Sequence, residues 1–152
     1  MDHLLLGRRF FLAVASIAAT LAVAASAAPA RAQAGGSATA DPMIVTAKLV
    51  EIPTKFPPDD LYDYAFVMKY EVVGGPMDKQ TILVAHYKPK QPRGKIKEKH
   101  TSGKLRSFNQ GDTHKLKLTA DLKKVWKGDL IDEYAATDRK SVRYWCLEAD
   151  PA

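Results

Sequence analysis

Apolar residues recur at every second position along Tyr64, Phe66, Met68, Tyr70 and Val72, with Lys69 and Glu71 between them. Period two is the pleat of a strand with one buried face. The same pattern returns at Thr113 to Thr119, where His114, Leu116 and Leu118 are set against Thr113, Lys115 and Lys117, as in a sheet with one wet face. Gln80 to Tyr87 is predicted to pair with the first of these strands through the turn Gly74-Gly75-Pro76-Met77-Asp78, with Ile82 and Val84 on one face. Met43 to Ile52, rich in β-formers and closed by Pro53, predicts a further strand, and Val142 to Leu147 a last one, whereas Trp126 to Ile131 fits no single period. Pro53, Pro57 and Pro58 forbid regular structure in the first connection. Lys88 to Ser107, with Pro89, Pro92, Gly94 and Gly103, reads as a long loop with room for a short helix. Five strands with one long connection predict an all-β domain: a small five-stranded OB-like barrel, whose closure removes exposed sheet edges, or alternatively a β-sandwich.

The start of the chain follows a different rule. Gly7-Arg8-Arg9-Phe10-Phe11-Leu12 leads into a charge-free, largely apolar stretch from Ala13 to Ala25, followed by three small-residue sites, Ala25-Ser26-Ala27, Ala30-Arg31-Ala32 and Ala32-Gln33-Ala34. A charged start, a short apolar core and A-x-A sites make a cleaved signal peptide. The expected organisation is a signal peptide over 1–34, a flexible leader over 35–42 and the β-domain over 43–152, with the product periplasmic or secreted. Arg8, Arg9, Phe11 and Leu12 fit the twin-arginine export pattern, while Gly7 and Ala13 depart from it, so the general secretory route stays open beside it. No later run is apolar and long enough to suggest a transmembrane segment after cleavage.

Export changes how the remaining chemistry is weighed. The single cysteine, Cys146, excludes an internal disulfide, and its strand setting Arg143-Tyr144-Trp145-Cys146-Leu147 predicts a buried, inert thiol. The formal net charge of +6 is unevenly spread: Tyr87 to Lys127 holds thirteen Lys and Arg against Glu98, Asp112 and Asp121. Lys88, Lys90, Arg93, Lys95, Lys97, Lys99, Lys104 and Arg106 are the candidate ligand-binding cluster, a patch that attracts polyanions or merely solubilises the domain. Outside the cytoplasm nucleic acid is not the expected partner; anionic polysaccharide, phosphorylated lipid or an acidic envelope protein is. Trp126, between Lys124 and Lys127, is a candidate for stacking on a sugar ring, or else a plug closing one end of the domain.

Catalytic and metal-binding signals are weak by comparison. His86, His100 and His114 have no i+2 or i+4 partner among themselves, so no single element presents two ligands. Asp129, Asp132 and Glu133 suit a solvated loop better than an acid/base pair, as do Asp59, Asp60 and Asp63. No catalytic residue, metal site or cofactor is assigned.

One wider likeness can be drawn from Tyr70-Glu71-Val72-Val73-Gly74-Gly75-Pro76, Lys79, Ile82-Leu83-Val84-Ala85-His86 and Phe108-x-x-Gly111-Asp112-x-x-x-Leu116-x-Leu118. This pattern is similar to a poorly characterised exported bacterial OB-like β-domain, which occurs as small proteins and beside SGNH-hydrolase domains of the alginate O-acetyltransferase kind. The resemblance implies a non-catalytic accessory module linked to envelope polysaccharide. The SGNH catalytic elements do not carry over: Gly111-Asp112-Thr113 has Thr in place of the nucleophilic Ser, and no Asp-x-x-His pair follows. The expected function is therefore binding of an anionic polysaccharide, or of a polysaccharide-modifying partner, through Lys88 to Arg106. The alternatives are a structural subunit contacting an acidic protein and a small metal-dependent hydrolase using His86, His114 and the Asp129 to Glu133 carboxylates.

Overall fold

A computed structural model describes residues 42–58, 62–96 and 101–152, all within the compact unit Ser37–Ala152. The expected signal peptide and nearly all of the leader lie outside the described residues. Strands β1 (Met43–Glu51), β2 (Tyr64–Val72), β3 (Thr81–Tyr87), β4 (Thr113–Thr119), β5 (Asp129–Ile131) and β6 (Arg143–Pro151) are joined with only a 3-10 turn at Arg93–Lys95 and a one-turn helix, α1, at Leu122–Val125. The fold is all-β.

All six strands belong to one sheet rather than two, in the order β1-β4-β6-β3-β2-β5, and β1 also pairs with β2. Pairing therefore runs from β1 to β2, β3, β6, β4 and back to β1. Every step is antiparallel except β3 with β6. The short β5 lies parallel to the start of β2, matching Tyr64 to Asp129 and Phe66 to Ile131, where β1 no longer pairs.

Alternation on β2 puts Tyr64, Phe66, Met68, Tyr70 and Val72 into one apolar cluster with Leu49, Val84, Leu116 and Leu118. Period two predicts a wet opposite face, and only Lys69 and Glu71 fit that expectation. Ala65 and Val67 are fully buried in a second cluster with Leu83, Ala85, Tyr87, Ile96, Trp126, Tyr134 and Trp145. The physical reason is the β4–β6 connection, which brings Trp126 and Tyr134 over that face of β2 and β3.

The last strand is longer than its apolar run suggests, because Glu148 and Asp150 lie opposite Lys117 and Lys115 on β4. Opposite charges across a ladder substitute for apolar pairing there. Between Lys117 and Leu118 the register slips, leaving Leu147 as an extra residue. This bulge lets Cys146 and Ala149, three positions apart, both enter the first cluster.

Candidate functional site

Of the segment from Lys88 to Arg106, residues 88–96 and 101–106 are described; they form an irregular connection with one 3-10 turn that is tied back to the sheet. Ser102 N–H donates to Leu147 O, Ala149 N–H to Ser102 O, and Leu105 N–H to Ala149 O, so the stretch Ser102 to Leu105 is laced to β6; Arg93 N–H in turn donates to Leu105 O. Gly103 makes that lacing possible. It has φ +122°, and a Cβ there would lie 2.1 Å from Ala149 O, an approach only glycine permits.

The eight basic candidates divide sharply. Lys90, Lys95, Lys104 and Arg106 are exposed, and the Lys104 amide is fixed by Asp150 Oδ1 at 2.7 Å. Lys88 is drawn in, with Nζ 3.1 Å from Asp63 Oδ1 and above the Tyr87 ring. Arg93 leaves the patch altogether. It is 1 % exposed, donates from Nη2 to Lys88 O and Gln91 O, and lays its guanidinium over Phe108 at 5.2 Å. A charge drawn inward by two carbonyls and an aromatic face anchors the segment instead of meeting ligand. Lys97 and Lys99, with His100, lie outside the described residues.

Trp126 is corrected in the same way. It is buried, stacked on Trp145 at 5.5 Å and 16°, tilted against Tyr87, and donates from Nε1 to Asp129 O. Among the described residues a ring enclosed on these sides leaves little surface for a sugar. It covers a flank of the sheet, close to the plug role and unlike the stacking role.

Beneath the basic segment the first cluster contains a group of four rings. Tyr70 from β2, His86 from β3 and His114 from β4 meet Phe108, with centroid separations of 5.6 Å for Tyr70 to His86, 6.0 Å for Tyr70 to His114, 4.5 Å for His86 to Phe108 and 5.6 Å for Phe108 to His114. His86 and His114 are 0 % and 1 % exposed. Neither ring nitrogen of either histidine, nor Tyr70 Oη, has a hydrogen-bond partner among the described residues. Burial holds the His86 pKa well below the ordinary imidazole value, helped by the charge of Arg93 and by His114. Burial lowers His114 too, while Asp112 pulls the other way. The sequence pattern aligns both histidines with the apolar faces of their strands, but nothing in it signals that Phe108 brings them together.

No family model, curated protein or solved structure matches this chain.

Among the described residues no three His, Cys, Asp or Glu side chains gather as metal ligands. Asp132 is committed to Arg143 through a 2.9 Å ion pair in which both side chains are largely buried, and its other oxygen accepts from Tyr134 N–H. Asp129 and Glu133 are exposed. The Cys146 thiol is buried, which pushes its pKa up to about 12, leaving no thiolate at neutral pH. An apolar recess of about 420 Å³ opens between the start of β1 and the β2–β3 turn, lined by Met43, Ile44, Val73 and Met77 among others. None of the candidates among the described residues lines it.

Proposed function

We propose that this chain is an exported OB-like β-barrel that binds an anionic envelope polysaccharide through Lys90, Lys95, Lys104 and Arg106. The observation that carries the reading is the lacing of the basic segment to β6 with Arg93 turned inward. Four cations on an ordered backbone keep their spacing without an ordering cost at each encounter, whereas a merely solubilising loop needs no such anchorage.

The circuit of five long strands supports the OB-like barrel. In such barrels the outer face of the second and third strands commonly takes the ligand. Here that face is covered by Trp126, Tyr134 and Trp145, which favours the basic segment as the contact surface. The likeness to exported polysaccharide-associated β-domains agrees with an anionic glycan as partner.

Titration of the domain with polygalacturonate at pH 7.5 tests the proposal. Binding should weaken steeply between 50 and 300 mM salt, since exposed charges are screened beyond about 8–10 Å at ~0.1 M salt. The triple reversal Lys90→Glu, Lys95→Glu and Arg106→Glu should abolish it, and Lys123→Glu with Lys124→Glu on α1 should not. Unchanged binding in the triple variant sinks the reading.

A further inference from the structure

The basic segment rests on two titratable rings. Phe108, two residues beyond the end of the segment at Arg106, touches both His86 and His114, and Arg93 lies over the same Phe108 ring. We propose that His86 and His114 form an acid-sensitive latch: while neutral they let Phe108 and Arg93 seat the basic segment, and once protonated they release it from the sheet.

Among the described residues the groups that face the two imidazoles are mostly neutral or cationic. From β2 comes the Tyr70 phenol, from β6 the Cys146 thiol, and from the 3-10 turn the Arg93 cation, while β1 supplies the apolar Ala47 and Leu49. Burial holds the phenol and the thiol in their neutral forms. Among the described residues Asp112, in the turn ahead of β4, is the carboxylate that acts on His114. A proton on His86 therefore sets two positive charges near each other in an apolar interior. The economical relief is to expose the group that is held from a connection, not the ones held in strands.

The direction with pH follows from linkage. The imidazoles titrate near 6.5 once opened to water and below that value when seated, so opening takes up protons. The seated state is thus fully favoured above about pH 6.5 and loses ground as pH falls below it. Each proton taken up shifts the opening equilibrium roughly tenfold per pH unit, and two shift it up to about a hundredfold. The consequence for binding rests on the function proposed above: release disperses Lys90, Lys95, Lys104 and Arg106 and weakens the hold on polyanions.

Amide hydrogen exchange of the full domain, corrected for intrinsic rates and run without ligand from pH 7.5 to 5, tests the latch. The amides of Arg93, Ser102 and Leu105 should lose protection by roughly ten- to a hundredfold per unit below pH 6.5, while those of Val67 and Val84 stay protected. His86→Gln with His114→Gln should flatten that dependence. If the pair does not fold, NMR titration of the two wild-type imidazoles decides, with apparent midpoints tracking the loss of protection. Protection that does not change down to pH 5, or that falls equally in β2 and β3, overturns the proposal. Polygalacturonate binding at pH 7.5 is a separate measurement, so the latch and the binding reading can each fail alone.

Discussion

The two apolar clusters on either face of β2 and β3 bury comparable aromatic bulk with opposite chemistry. One is centred on the Trp126–Trp145 stack, whose indoles have no titratable group, with Tyr87 tilted against it. The other passes from Phe66 and Met68 to a polar end made of Tyr70, His86 and His114. Equal burial therefore does not mean equal robustness. The indole stack has no proton to gain, while the histidine end depends on staying neutral. The element seated on the tryptophan face is the β4–β6 connection, and the one seated on the histidine end is the basic segment, so a proton taken up by the buried imidazoles acts on the second.

The comparison is most directly broken by removing an anchor from each cluster. Phe66→Ala and Trp145→Ala should each cost roughly 3–5 kcal/mol in urea denaturation, the range for deleting a buried large ring. A cost under about 1 kcal/mol at Trp145 would mean that the second cluster is a cover and not a core. A smaller effect is expected at Gly103→Ala, where a Cβ would strike Ala149 O and φ is +122°. Strain of this kind costs about 1–3 kcal/mol, and faster exchange should appear at Ser102 and Leu105 before it appears in β2. The smallest effect belongs to Lys69→Ala. Its ion pair with Glu51 at 2.6 Å and its place over Tyr134 are partly exposed, so the loss should stay within about 1 kcal/mol, measured by the same denaturation.

Strands whose two faces differ are legible in the amino-acid sequence alone. Thr113 to Thr119 can be delimited almost to its ends because period two records which side meets water, and Tyr64 to Val72 because its large residues alternate, although Ala65 and Val67 between them are buried as well. The end of β6 is harder to see, since Glu148, Asp150 and Pro151 look unlike strand until Lys115 and Lys117 are known to lie opposite. The three residues of β5 carry too little pattern to be told from a loop. In the candidate site, charge is legible and burial is not. Arg93 resembles its neighbours in sequence, and what separates it is contact with Lys88 O, Gln91 O and Phe108, a set fixed by how the chain folds back. Trp126 misleads for the same reason: its flanking lysines are local, whereas Trp145, the ring it stacks on, is nineteen positions away.

The lone thiol turns the folded domain into its own integrity gauge. Cys146 sits inside the first cluster with its pKa raised to about 12, so while the sheet is intact it offers almost nothing to an oxidant or to another chain. Any molecule that opens far enough to free it acquires an ordinary reactive cysteine, with no second cysteine in its own chain to pair with. Covalent dimers accumulating in an aged or heated sample therefore count the molecules that have come apart, and a sample free of them needs no reducing agent in its buffer.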